Sequence, residues 1–223
     1  MLFAQGGLFF QNKAVADSVN YLPAVDAPIW IGSVGSAGGG TLAAGNTYMA
    51  AVFAAIPGTQ AAVAGSDPSA FKSGSGMTQG QVSGADATKI FRTAANAGYI
   101  SGGGNVVFPG LAVGNTVTVQ VRAWSANLGS TWTAAWTAWT SATHAGDLAW
   151  VLGVSSPITL NKLGDTSLPA VPRLGYNSDP NYANYIASPA LSAFAMTPEV
   201  PEPSVLALAG LGLVGAFMVR RRK

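Results

Sequence analysis

His144 is the only histidine in the chain, and there is no cysteine. A nucleophilic triad needs a base beside the nucleophile and an acid behind the base. His144 stands in the run Ser141-Ala142-Thr143-His144-Ala145-Gly146-Asp147, and no GxSxG elbow occurs elsewhere, so it reads as a turn histidine near the surface. Zinc sites built on several imidazoles or thiolates are excluded by number alone. Glutamate is absent before Glu199, so a carboxylate pair for glycoside cleavage would have to be two aspartates, and no local pair stands out. The run Asn177-Ser178-Asp179-Pro180-Asn181 alternates oxygen-bearing side chains as calcium loops do. It lacks the glycine and the distal glutamate of an EF-hand, and a turn is the better reading. One glycine pattern, residues 210–215 (GLGLVG), matches the dinucleotide fingerprint GxGxxG. That fingerprint needs an acidic residue about twenty positions further on, and only eight residues follow Gly215. No catalytic residue, metal site or cofactor is expected.

The densest chemistry-bearing cluster is aromatic. Trp132, Trp136 and Trp139 lie within residues 131–140, TWTAAWTAWT. Spacings of four and three place the three indoles on one face of a short helix, whereas a strand would set Trp139 opposite the other two. Packed against a sheet, that face is core. Left open, the indoles would stack on sugar rings, with threonine hydroxyls nearby for hydrogen bonds, and would make a glycan-binding patch.

The elements that would position these residues are strands. Residues 116–124, TVTVQVRAW, alternate with Val117, Val119, Val121 and Ala123 on one face and the polar residues with Trp124 on the other, which is the period of a strand with one face in the core. Further strands are expected at residues 7–11, 28–31, 47–55, 61–63, 90–92, 106–108, 149–154 and 158–160. Turns are expected at Pro109-Gly110 and at Val113-Gly114-Asn115. Residues 164–203 read as a loop-rich closing segment that passes into a linker at about Thr197. The chain carries 28 glycines and 13 prolines, and its residues are 49% hydrophobic but only 9% charged. That is too apolar for a disordered chain. The fold class expected is all-β: a single antiparallel β-sandwich or jelly-roll-like domain followed by a C-terminal transmembrane helix.

The charge lies at one end. Before residue 199, Lys13, Lys72, Lys89, Arg92, Arg122, Lys162 and Arg173 are balanced by Asp17, Asp26, Asp67, Asp86, Asp147, Asp165 and Asp179. A neutral body has no electrostatic footprint for phosphate, and nucleic acid is not an expected partner. The basic pI of about 9.0 comes from the last four residues, Arg220, Arg221, Arg222 and Lys223. They follow residues 204–219, SVLALAGLGLVGAFMV, which hold no charge. At about 1.5 Å per residue this helix would be roughly 24 Å long, against a hydrocarbon core of about 30 Å, a gap closed by local thinning and snorkelling arginines. A helix apolar on every side and ending in four cations has no face for water. The cations hold their end in the cytoplasm, which puts everything before residue 200 outside it.

Just before that stretch stands Val200-Pro201-Glu202-Pro203-Ser204. Two prolines fix an extended segment that a protease can grip. A Pro-Glu-Pro motif, a short apolar helix and a terminal arginine cluster, in that order, resemble the PEP-CTERM sorting signal. The resemblance implies an exosortase-type processing enzyme as partner, with processing near the motif. The body also resembles β-rich, uncharacterised PEP-CTERM proteins. It shares an early Phe9-Phe10-Gln11-Asn12 segment, a central Thr47-Tyr48-Met49-Ala50-Ala51-Val52 strand and the stretch from Pro109 to Trp124. At the other end, residues 1–6 read as a signal-peptide remnant with its cleavage point, the start lying upstream or the chain having been trimmed close to its mature end.

The organisation expected is therefore a remnant at 1–6, a β-sandwich ectodomain at 7–196, a linker with the Pro-Glu-Pro motif at 197–203, a transmembrane helix at 204–219 and a basic cytoplasmic tail at 220–223. The function expected is that of a non-enzymatic cell-surface or extracellular-matrix protein, associated with exopolysaccharide or biofilm. It would be exported across the inner membrane and anchored there transiently before reaching the surface or the medium. A carbohydrate-binding module carrying Trp132, Trp136 and Trp139 is the alternative, with exopolysaccharide as ligand, and a secreted hydrolase is a weaker one.

Overall fold

A computed structural model describes residues 5–14, 25–32, 40–56, 77–141, 146–165, 174, 187–188 and 191–198. These residues are mostly β-structure with one short α-helix. The first half holds β1 (Gln5–Phe10), β2 (Lys13–Ala14), β3 (Val25–Asp26), β4 (Ile29–Ile31), β5 (Thr41–Leu42) and β6 (Tyr48–Ala55). Four short strands follow, β7 (Thr78–Gln79), β8 (Gln81–Val82), β9 (Ala85–Asp86) and β10 (Lys89–Ile90), and then two long ones, β11 (Gly104–Ala112) and β12 (Val117–Ser125). Helix α1 (Trp132–Thr140) precedes β13 (Val151–Val154), β14 (Ile158–Leu160), β15 (Gly164–Asp165), β16 (Ala187–Ser188) and β17 (Phe194–Pro198).

The strands form one large curled sheet, in the order β10-β6-β12-β13-β17-β4-β5 with β7, β14 and β16 attached to it. Beside it stand a five-stranded sheet, β15-β1-β11-β8-β9, and the β2–β3 pair. The alternation read in residues 116–124 is present: Val117, Val119, Val121 and Ala123 face inward, as do Ala50, Val52 and Ala54 of the neighbouring β6. They meet Leu8, Phe10, Val106 and Phe108 of the five-stranded sheet in one core. Branched and aromatic residues at every second position are what a half-buried pleated surface selects.

Four expectations are corrected. The sheet is mixed, because β17 runs parallel to β4, pairing Phe194 with Ile29 and Met196 with Ile31. Such a pair needs a long crossover and cannot be read from hairpin-length spacing. Pro109-Gly110 is not a turn between strands but lies inside β11. The β1–β11 register jumps there, from Gln5 opposite Ala112 to Gly7 opposite Val107, so the proline, which has no N–H to give, sits in a bulge with Gly110 at φ +80°. The second face of β12 is also covered, since Gln120, Arg122 and Trp124 are buried together with the inward-facing residues. Finally, Thr197 and Pro198 are strand residues paired with Leu152 and Val151, so no linker begins at 197. The strand expected at 61–63 lies outside the described residues.

Two polar residues complete the backbone where the ladder fails. Between β13 and β14 the register against β12 slips by one residue. Ser155 fills the gap: its N–H donates to Val121 O at 2.8 Å and its Oγ accepts from Val121 N at 3.0 Å. Asn12, fully buried, donates through Nδ2 to Ala27 O and Gly98 O at 2.9 Å each and accepts at Oδ1 from Ile100 N at 2.7 Å. One side chain thus ties three chain segments. Beside it Lys13, opposite Asp26 in the β2–β3 pair, lies 4.2 Å from the Tyr99 ring, and Tyr99 Oη donates to Asp26 Oδ1 at 2.6 Å.

Candidate functional site

Trp132, Trp136 and Trp139 fall on the helix that their spacing allows. Thr131 starts it, its Oγ1 accepting from Ala134 N at 3.2 Å. Alanines at 134, 135 and 138 favour the helix between the indoles. At its far end Ser141 donates through N and Oγ to Ala138 O, at 3.3 and 2.7 Å. Trp132, Ala135 and Trp139 occupy positions i, i+3 and i+7 and face the sheet, so the helix lies across the outer face of β12 and β13.

This arrangement takes the core alternative for two of the three indoles. Trp132 is 3% exposed and Trp139 8% exposed, while Trp136 is half-buried. They form a continuous aromatic run. Trp124 and Phe53 meet Trp132 edge-on, with centroids 5.7 and 6.2 Å apart. Trp132 stacks on Trp136 at 6.2 Å, and Trp136 on Trp139 at 5.8 Å. Such pairs are worth about 0.5–1.5 kcal/mol each beyond burial. The indole N–H groups are used inside the fold as well: Trp124 Nε1 donates to Gly129 O at 2.9 Å and Trp139 Nε1 to Thr197 O at 3.2 Å.

Under the helix lies a residue that the sequence reading passed over. Arg122 is buried, with its guanidinium 4.2 Å from the Phe53 ring and 4.9 Å from the Trp132 ring. Its Nε donates to Gln120 Oε1 at 3.1 Å, and a terminal nitrogen donates to Met77 Sδ at 3.2 Å. Burial pushes its pKa down to about 9, still above neutrality, so the charge is kept. A cation held between the Phe53 ring of the sheet and the Trp132 ring of the helix ties the helix to the sheet. An arginine amid a valine–threonine alternation, with a tryptophan-rich helix to follow, was the available signal.

The second feature is the last strand among the described residues, β17. β17 sits inside the large sheet, between β13 and β4, and its last two residues pair with the start of β13. Gly153 lets it come close: a Cβ there would run into Ala195 O and meet Met196 Cα at 2.8 Å. Gly32 N donates to Met196 O at 2.7 Å, and Trp139 holds Thr197 from above. β17 is therefore held by both neighbours and by α1.

His144, the run from Asn177 to Asn181, the processing residues Val200, Pro201, Glu202, Pro203 and Ser204, the span 204–219 and the cluster Arg220, Arg221, Arg222 and Lys223 lie outside the described residues. Among the described residues no helix is long and apolar enough to cross a membrane, and no three His, Cys, Asp or Glu side chains converge as a metal site would require. No curated protein and no solved structure matches the chain. Its last 25 residues do find a match: residues 199–223 carry a PEP-CTERM protein-sorting motif, the mark of an exported protein sorted to the cell surface through an exosortase.

Proposed function

We propose that this protein is a non-enzymatic component of the cell surface or of the extracellular polysaccharide matrix. Its body, read as a sandwich of the large and the five-stranded sheets, is delivered outside the inner membrane. Residues 204–219 hold it there until an exosortase cuts near Pro201-Glu202-Pro203. The observation that carries the reading is the sorting motif that starts at residue 199, immediately after Pro198, the last sheet residue among those described. The neutral body and the packing of Trp132 and Trp139 against the sheet agree with a structural role. A carbohydrate-binding reading would need indoles open to solvent, and Trp132 and Trp139 face the core.

Cell fractionation tests the proposal, comparing the full chain with a variant in which Pro201, Glu202 and Pro203 are replaced by alanine. The native chain should leave the inner membrane for the surface or the matrix, and the variant should stay in the membrane fraction at full length. Equal distribution of the two would refute sorting through the motif.

A further inference from the structure

The end of the body from which the sorting tail leaves carries an apolar patch of its own. β17 and β4 are parallel, so their C-terminal ends lie together, and β13, antiparallel to β17, begins at the same end. Leu148, two residues before Trp150, is 53% exposed and lies against the end of β4: a Cβ on Gly32 would meet its Cδ2 at 3.7 Å. Trp150, just before β13, is half-buried, and so is Trp136, which stacks on Trp139, whose Nε1 donates to Thr197 O. Asp147, next to Leu148 in the chain, is engaged in the turn, its Oδ1 accepting from Ala149 N at 2.8 Å.

Only residues 199–203 separate Pro198 from the apolar stretch that begins at Ser204. At no more than about 3.6 Å per residue, the end of β17 can stand only about 20 Å from the start of that stretch. Tryptophan, with an apolar ring and one polar N–H, is the side chain most at home between hydrocarbon and headgroups. We infer that this end of the body docks on the outer surface of the membrane that holds the tail, with Leu148, Trp150 and Trp136 entering the interfacial region of the lipid. The inference rests on the proposed anchoring by residues 204–219. Docking would present the Pro-Glu-Pro segment at a fixed height to a membrane-embedded enzyme.

The absence of cysteine makes the test direct. Leu148→Cys and Ile56→Cys are each labelled with a nitroxide in the full chain. Ile56 is also apolar and 45% exposed, but it follows Ala55, which pairs with Thr118 at the far end of β12. Both proteins are reconstituted into vesicles of phosphatidylethanolamine with a minor share of phosphatidylglycerol. Docking predicts that the label at 148 is several-fold more accessible to oxygen than to a water-soluble nickel chelate, and that the label at 56 shows the reverse. Vesicle-bound protein with both labels in water would overturn the docking and leave the anchoring intact. Failure to float with the vesicles would overturn both. A response of the 148 label to soluble polysaccharide, with none to lipid, would assign the patch to a glycan and also overturn the inference.

Discussion

Replacing Asn12 with leucine, which is close in size, removes a side chain whose every polar atom is used. The Ile100 N–H and the Ala27 carbonyl lose the amide, while the Gly98 carbonyl keeps the Ile29 N–H at 2.9 Å. Leaving a buried donor or acceptor unsatisfied costs about 1–3 kcal/mol, so two such groups put the loss at about 4 kcal/mol. For a body of this size that corresponds to a fall in melting temperature of roughly 8–16 °C. Asn12→Asp separates hydrogen bonding from volume. The carboxylate still accepts from Ile100 N but faces the Ala27 and Gly98 carbonyls, so its folded pKa must lie above its unfolded value. Its stability should be nearest that of the native chain below about pH 4, where the acid is neutral in both states, and should fall as pH rises through the folded pKa. Unfolding of the full chain in detergent, followed by tryptophan fluorescence, reads both effects. A leucine variant within about 1 kcal/mol of the native chain, or an aspartate variant indifferent to pH, would refute the reasoning.

Three further perturbations bear on the tail strand and the surface. Gly153→Ala should cost about 1–3 kcal/mol, because the new methyl runs into the β17 backbone at Ala195 and Met196; hydrogen exchange at residues 194–198 should rise, and unchanged protection there would contradict the close approach. Trp139→Phe keeps a ring but removes the hydrogen bond to Thr197 and should cost about 0.5–1.5 kcal/mol in the same unfolding assay; no loss would mean that the bond does not form. Tyr99 ionises late, its pKa raised to about 12 first by its hydrogen bond to Asp26 and then by burial. The neutral phenol is the folded form, so its contribution is complete below about pH 10 and is lost as pH rises toward about 12. Ultraviolet titration should show this late phase and Asp26→Asn should bring it forward; a phase that does not move would reject the pairing.

Much of the strand pattern was legible because a local period determines it. The alternation at 116–124 and the run at 47–55 correspond to β12 and β6, and the indole spacing of four and three to helix α1. What escaped depends on contacts distant in sequence. The pairing of β17 with both β13 and β4 leaves no mark in residues 194–198 beyond Phe194 and Met196 facing the core, so by sequence alone the strand resembles the approach to a linker. Pro109-Gly110 carries the dipeptide signature of a turn, and only the partner strand shows that the chain continues through it as a bulge. Arg122 looked like the solvent face of β12 until α1 was laid over it. The sorting tail was legible for the opposite reason: its order of motif, apolar stretch and cations is a linear signal and needs no fold to be read.

The central claim is that the chain is sorted and cut at its C-terminal motif. Mass spectrometry of the protein recovered from the surface or matrix fraction, beside the same protein from cells lacking exosortase, tests it most directly. The account predicts a mature chain that ends near Pro201-Glu202-Pro203 and lacks Arg220, Arg221, Arg222 and Lys223, with the intact C-terminus in the membrane of exosortase-deficient cells. A surface-recovered chain that still carries those four residues would contradict it.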